Sequence, residues 1–178
     1  IEFEPKKVEV QQGIMDFSEK SYAAPVNPVN LNKTAMIFYY QHQYYIDCPW
    51  LPFLRWLPFP KCDDWASLML MGSFENNNTL RWEREKSTGQ IKGHYYLFEA
   101  KHEEFSVQRT KIRLEGITNV SSIYPVNASR SFVISSYKCT TPNDNSNSGT
   151  VDVWLKNSAT LKAERYSSAY AATVNAFV

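Results

Sequence analysis

The chain of 178 residues is 43% hydrophobic and 15% aromatic, which is enough apolar surface for a packed globular core. Its formal net charge is +1, and acidic and basic residues are mixed along the whole length, so no basic stripe is available for nucleic acid or for an anionic membrane surface. No apolar run approaches the roughly 20 residues that a membrane helix needs, which argues against membranes as partners.

In the first part of the chain, apolar and polar residues alternate with a period of two, which is typical of half-buried β-strands. The segments "KVEVQQGIM" (residues 7–15) and "TAMIFYYQ" (residues 34–41) are the first two predicted strands. The stretch "TLRWEREKSTGQIKGHYYLFEA" (residues 79–100) is predicted to form a β-hairpin. Its turn lies around "STGQ", where Gly89 can adopt a positive φ.

The later part of the chain continues the same pattern. Strands are predicted over "FSVQRTKIRL" (residues 105–114), "SFVISSYK" (residues 131–138) and "GTVDVWLKN" (residues 149–157). The next segment, "SATLKAERYSSAYAA" (residues 158–172), has an alanine content and charge spacing that would also suit a helix. We predict a strand there, because the segment that it matches in an internal repeat carries "STG" at the same point.

This internal repeat relates the two parts of the sequence. A shift of 97 positions aligns "PVNLNKTAMIFYY" (residues 28–40) with "PVNASRSFVISSY" (residues 125–137). A shift of 81 positions aligns "TLRWER" (residues 79–84) with "TLKAER" (residues 160–165). The two shifts differ by 97 − 81 = 16, so the first copy carries about 16 additional residues between Gln43 and Ala66.

Five or six short strands in each copy predict an all-β fold of two tandem antiparallel β-sandwich domains, immunoglobulin-like or jelly-roll-like. The first domain is predicted over residues 1–103, with an aromatic, proline-rich loop insertion at residues 44–65, and the second over residues 104–178. The repeat register is cut at both ends, so we expect these residues to be a window from a longer repeat-containing chain.

The insertion contains "CPWLPFLRWLPFPKC" (residues 48–62), the best candidate for a functional segment. Exposed aromatic patches mark interfaces, and proline lowers the entropy that a loop loses when a partner immobilises it. The predicted interface residues are Trp50, Leu51, Phe53, Trp56 and Phe59. Two alternatives stay open: the loop covers its own sandwich or packs on the second domain, or its tryptophans stack on a sugar.

Cys48 and Cys62 enclose 13 residues, and a disulfide between them would stabilise the fold by about 3 kcal/mol in the chain-entropy model. We favour this disulfide over two thiols. A metal cluster that adds Asp47, Asp63 and Asp64 is a weaker reading, because two thiolates without a spaced histidine rarely form a zinc site. No metal or other cofactor is therefore predicted.

The sequence does not indicate an enzyme. It has no serine or cysteine in a G-x-S-x-G elbow, and His42, His94 and His102 fall in or near predicted strands. The adjacent carboxylates Glu103 and Glu104 would point to opposite faces of a strand and are interpreted as solvated charges.

Two further features are interpreted as structural. Glu83 with Arg84 is repeated as Glu164 with Arg165, and a catalytic site would seldom be duplicated so faithfully. Cys139 has no evident partner in the sequence, and its expected role is that of a small buried apolar residue.

Four pairs of motifs recur in the two copies: "VQQG" and "VQRT", "PVNLNKT" and "PVNASRS", "TLRWER" and "TLKAER", and "YLFEA" and "NAFV". Together they resemble a β-sandwich repeat that is common in bacteriophage virion proteins. The resemblance covers nearly the whole chain and implies a tail, fibre or capsid-decorating module, but no particular site. Thr110, in place of the glycine of the opening strand, and residues 44–65 depart from the pattern.

We therefore expect a structural or assembly component of a bacteriophage virion, located in the extracellular particle, that is not an enzyme. Its expected partners are copies of itself and neighbouring virion proteins. The alternative is a carbohydrate- or receptor-binding adhesion module, whose partner would be a glycan or receptor on the host surface.

Overall fold

A computed structural model of the chain describes residues 7–43, 69–87, 89–101, 103, 105–140, 150–166, 168 and 170–178. Within these residues there are twelve β-strands, one 3₁₀ helix (Ala128–Arg130) and no α-helix. Every strand pair among them is antiparallel. The prediction of an all-β, antiparallel, sandwich-like fold is confirmed.

The N-terminal half contains six of these strands. They are β1 (Val8–Phe17), β2 (Ser21–Pro25), β3 (Thr34–Gln43), β4 (Met71–Asn76), β5 (Thr79–Glu83) and β6 (Gln90–Ala100). They form two three-stranded sheets, with the orders β1-β6-β3 and β2-β5-β4.

The C-terminal half contains the other six strands. They are β7 (Arg109–Leu114), β8 (Thr118–Ser122), β9 (Ile134–Cys139), β10 (Val151–Asn157), β11 (Thr160–Arg165) and β12 (Ala172–Phe177). Their sheets have the orders β7-β12-β9 and β10-β11-β8, so the strands pair in the same order as in the N-terminal half. Residues 158–172, for which a helix was the alternative, contain β11 and the start of β12, so the strand prediction is confirmed.

Each half has a core to which both of its sheets contribute. In the N-terminal half, Met15, Met36 and Leu97 of one sheet pack with Leu80 and Trp82 of the other. In the C-terminal half, the core is formed by a corresponding set: Ile112, Leu114, Cys139, Leu161, Ala163 and Val174. Side chains on alternate positions of the strands supply these cores, as the period of two predicts. The division into two domains at residue 103 stays a prediction.

The two halves share hydrogen bonds at equivalent positions. The Gln11 side chain donates to the Asn27 carbonyl (3.2 Å) and accepts from the Asn27 N–H (3.0 Å). Gln108 makes the same two bonds to Tyr124, at 2.8 Å and 2.6 Å. Both residues of the second pair lie 97 positions after those of the first. Positions related by these shifts therefore occupy equivalent places in the two halves.

The predicted hairpin over residues 79–100 is wrong. β5 pairs with β2 and β4, whereas β6 pairs with β1 and β3, so the connection between them crosses from one sheet to the other. Gly89 does adopt a positive φ, of 72°, within this crossing. The strand pattern identified both strands but not their partners, because the inward residues of two facing sheets alternate in the same way.

The halves contact one another where edge strand β4 lies on the outward side of the β7-β12-β9 sheet. The backbone N–H of Gly72 donates to Ser136 Oγ (3.1 Å), and Asn175 Nδ2 donates to the Gly72 carbonyl (2.7 Å). The rings of Phe74 and Phe177 meet edge to face, with centroids 6.0 Å apart. These contacts satisfy backbone groups that an edge strand would otherwise expose.

We expect Gly93→Ala to destabilise the protein by about 1–3 kcal/mol, the usual cost of overpacking. A Cβ at Gly93 would lie 2.2 Å from the carbonyl oxygen of Tyr39 on the neighbouring strand, and a backbone atom cannot rotate away. Gly116→Ala is the matched control, because a Cβ there would meet nothing within 4 Å. Urea unfolding of both variants checks the prediction, and equal midpoints would contradict it.

Candidate functional site

The interface and disulfide residues predicted from the sequence lie outside the described residues. They are Trp50, Leu51, Phe53, Trp56, Phe59, Cys48 and Cys62. His102 and Glu104 also lie outside them, whereas Glu103 is exposed and its carboxylate lies 3.0 Å from Lys33 Nζ. The roles assigned to the insertion stay predictions.

A broad apolar surface covers the outward side of the β1-β6-β3 sheet. The register places three rows of side chains across it: Val10, Phe98 and Ala35; Gln12, Tyr96 and Ile37; Ile14, His94 and Tyr39. We call these nine residues the outer face. The sheet's other side supplies Met15, Met36 and Leu97 to the core. The sheet therefore carries large apolar side chains on both sides, although only one side is needed for its core.

The outer face exposes large apolar side chains. The exposed fractions are 66% for Ile14, 56% for Tyr39 and 43% for Ile37. The Tyr39 ring stacks on His94 at 5.3 Å and on Tyr96 at 6.4 Å, and Tyr96 stacks on Phe98 at 6.4 Å. Apolar side chains that are contiguous rather than scattered mark a contact surface in a folded protein.

The sequence contains a signal for this surface, which was not among the predicted sites. The run "AMIFYY" (residues 35–40) is apolar at consecutive positions instead of alternating with polar residues. Consecutive apolar residues are typical of a strand that has both sides covered. Interpreted only as strand-forming residues, they do not reveal the second apolar side of the sheet.

The equivalent outward side of the C-terminal half differs because β4 covers it. Phe177 and Asn175 of β12 point outward, like Tyr96 and His94 of β6, yet are only 3% and 9% exposed. The alternation of exposed and buried residues is consequently lost over β12. The two halves thus show one covered and one exposed version of the same surface.

Arg84 has a structural role in the crossing from β5 to β6. Its guanidinium donates to the carbonyl oxygens of Glu19 (2.9 Å), Gly89 (2.8 Å) and Ser18, and its Nη1 lies 3.3 Å from His42 Nε2. Burial lowers the pKa of Arg84, although nearby Glu19 partly opposes this effect. The Arg84 guanidinium therefore links the loop that contains Ser18 and Glu19 to the crossing that contains Gly89.

Arg165, its equivalent in the C-terminal half, is also buried and donates from Nε to the Gly116 carbonyl (2.9 Å). Apart from the contact between Arg84 and His42, these bonds involve backbone carbonyls, which agrees with the structural interpretation of both arginines.

A cleft of about 1250 Å³ lies beside the connection between the halves. Its lining includes Phe105, Arg109, Tyr124, Arg130 and Val178. No side-chain carboxylate, histidine or cysteine is among the described residues that line it, so these residues offer no general acid or base near neutral pH.

Cys139 is fully buried in the C-terminal core, as expected for a small apolar residue. Burial raises the pKa of its thiol from 9.0 to about 11, and the nearby Arg165 opposes this only in part. A thiol of this kind is protonated at neutral pH and is a poor nucleophile or metal ligand.

We expect the stability of the protein to fall as the pH rises from 9 to 11, because the folded state holds the Cys139 proton more tightly than the unfolded state does. The loss is about 2 kcal/mol for this group by pH 11. Urea unfolding at several pH values should show a smaller decline for Cys139→Ala. Parallel pH profiles of the two proteins between pH 9 and 10 would contradict the prediction.

Within the described part of the chain, no group of three or more histidine, cysteine, aspartate or glutamate residues could hold a metal ion. No helix there is long and apolar enough to cross a membrane. Comparisons with protein-family models, with curated proteins and with solved structures find no match to this chain. The exposed outer face is the strongest candidate site among the described residues.

Proposed function

We propose that this protein is a structural or assembly component of a bacteriophage virion that acts through protein–protein contacts. The observation that carries the proposal is the outer face of the N-terminal half, where stacked aromatic rings and aliphatic side chains are exposed together. The phage assignment rests on the motif resemblance, and the location in a tail, fibre or capsid decoration follows from the same resemblance.

Burial of the outer face by a partner would be favourable. Aromatic residues carry much of the energy at interfaces, since they bury large areas at a low entropic cost. Lys92 and Asp16 border the face, with Lys92 Nζ 3.8 Å from an Asp16 oxygen. A partly apolar surface with a polar border has the organisation expected of a protein–protein contact.

If the proposal is right, a phage that encodes this sequence carries the protein in its particles, and a lysate of that phage tests this. Particles are purified by density-gradient centrifugation, and the protein is detected by immunoblotting. We expect it to co-sediment with intact particles and to resist a wash at high salt, because apolar contacts are not screened by salt. Recovery only in the soluble fraction would overturn the proposal.

The aromatic insertion is tested separately. Residues 44–65 are replaced by the polar sequence "TTPNDNSNSG", which stands in the equivalent loop of the second copy. If the insertion is the assembly contact, light scattering will show a multimer that falls to monomer. A variant that unfolds would instead assign the insertion to the core.

The second candidate function is carbohydrate or receptor binding by an adhesion module. It is favoured by the exposed ladder of Tyr39, His94 and Tyr96, because flat aromatic surfaces stack on sugar rings. A glycan array should then show binding that Tyr39→Ala abolishes. Trp50→Ala and Trp56→Ala test the same function for the insertion, and an array without signal would reject it.

A further inference from the structure

The contact between the halves gives a template for how this protein recognises an edge strand. Gly72 of β4 presents its backbone N–H to Ser136 and its carbonyl to Asn175. Phe74 meets Phe177 edge to face, and the Arg109 guanidinium lies 5.7 Å from the centre of the Phe74 ring. The recognised element is thus a backbone edge with one large side chain beside it.

The outer face of the N-terminal half carries matching groups at the equivalent positions. A shift of 97 relates Ser136 to Tyr39, which also carries a hydroxyl but at the far end of its ring, and Ile134 to Ile37, so the residue is identical. A shift of 81 relates the other two positions. Asn175 corresponds to His94, which keeps a ring N–H as donor, and Phe177 to Tyr96, which keeps an aromatic ring. A hydroxyl, a ring N–H donor and an aromatic ring therefore recur on the exposed outer face, whereas Arg109 corresponds to the neutral Gln12.

The C-terminal half carries the matching edge. Strand β10 ends the sheet order β10-β11-β8, as β4 ends β2-β5-β4, and no strand among the described residues pairs with its second edge. Val153 of β10 corresponds to Gly72, and Leu155 to Phe74. A Cβ at Gly72 would point at Met36 and Phe38 of its own half. The side chain of Val153, at the equivalent position, should likewise point into its own half, so its larger size need not obstruct docking. Val153 accordingly packs on the core of its own half.

The charges at the equivalent positions also permit this contact. At the junction, Lys138 Nζ lies 3.6 Å from Glu83. The corresponding groups are Gln41 on the N-terminal half and Glu164 beside β10. Glu164 is already bonded to Lys162 (2.7 Å), so it can face a neutral residue without losing a partner. Docking brings no like charges together at this position.

We propose that β10 of one molecule docks on the outer face of a second copy of this chain, at the place equivalent to the one where β4 lies on the β7-β12-β9 sheet. The contact continues the existing junction from one molecule to the next. It is heterologous, because different surfaces of the two copies meet, so it builds rings or filaments. This inference rests on the proposed assembly function and specifies its partner as the protein itself.

The test uses one variant for each surface and sedimentation velocity over a wide concentration series. Ile37→Glu places a charge on the outer face, and Val153→Pro removes the outward N–H of β10. At the equivalent Gly72, this N–H points away from β5, so the proline should spare the pairing with β11. We expect wild type to form assemblies larger than dimers. Each variant should weaken association by about 30-fold or more, as expected for a central interface residue.

Mixing the two variants gives the decisive result. Each retains one competent surface, so the mixture should form one-to-one dimers and nothing larger. Val120→Glu and Val120→Pro are the controls, because Val120 is 51% exposed on β8 and its N–H bonds to the side chain of Asn119. Both should assemble as wild type does. Thermal unfolding confirms that each variant is folded, and Leu155→Ala, a milder change at the position equivalent to Phe74, replaces Val153→Pro if the latter is not.

Three outcomes would overturn the inference. They are a wild-type monomer at every concentration, association that neither variant weakens, and a dimer lost in Ile37→Glu but retained in Val153→Pro, which would indicate face-to-face pairing. None of them decides the proposed function, because co-sedimentation with particles is measured independently. A protein that co-sediments but does not self-associate would have a different virion protein on its outer face.

Discussion

Phe177→Ala is expected to lower the free energy of unfolding by about 3–5 kcal/mol, the range for truncation of a buried phenylalanine. Phe177 is 3% exposed although it lies on the outward side of its sheet, and it belongs to the buried cluster that contains Leu80 and Trp82 of the other half. The substitution therefore opens a cavity at the junction as well as removing the edge-to-face contact with Phe74. Urea unfolding with unchanged m-value measures the loss.

The matched control for this prediction is Phe132→Ala. Phe132 is 65% exposed, so its truncation should change stability by no more than about 0.5 kcal/mol. Equal effects of the two variants would mean that the junction contributes little to stability. In that case the geometry of the β4 contact would be a poor template for docking between molecules.

Arg84→Met is expected to lower the free energy of unfolding by about 3 kcal/mol. Arg84 is 2% exposed, and its guanidinium bonds three backbone carbonyls, those of Glu19, Gly89 and Ser18. Methionine keeps much of the apolar volume but leaves these acceptors unsatisfied, at about 1–3 kcal/mol for each one that water cannot reach. Because two of the carbonyls lie in the β1–β2 loop, amide hydrogen exchange there should accelerate.

Two arginines serve as controls for this prediction. Arg81 forms an exposed pair with Glu75 (2.7 Å), so Arg81→Met should cost less than about 1 kcal/mol. Arg165→Met tests the equivalent position, where one backbone bond of 2.9 Å to Gly116 is described. We expect an intermediate loss. A cost for Arg84→Met as small as that for Arg81→Met would contradict the structural role.

A local sequence pattern predicts where a strand lies but not which strands it pairs with. The alternation in "KVEVQQGIM" and "GTVDVWLKN" identified β1 and β10, because the side to which each residue points is a local property of an extended backbone. The same patterns did not predict the partner strands of β5 correctly. Which edge a strand meets depends on chain reversals far away in the sequence, and both candidate partners of β5 have the same apolar period.

The candidate site was predicted less completely than the fold. Aromatic composition directed attention to the insertion, whose Trp50 and Trp56 lie outside the described residues. The outer face combines residues from three strands, β1, β3 and β6, and only the register brings Ile14, His94 and Tyr39 into one row. No single segment of the sequence contains that row.

The sequence by itself determined the β character of this protein, the position of most strands and the correspondence of segments 97 and 81 residues apart. These properties follow from side-chain periodicity and composition, which act within a few residues. Only the tertiary structure decided that Phe177 and Asn175 are buried whereas the equivalent Tyr96 and His94 belong to an exposed surface. The physical reason is that burial on the outward side of a sheet depends on what packs against it, and in this protein strand β4 covers only one of two equivalent faces.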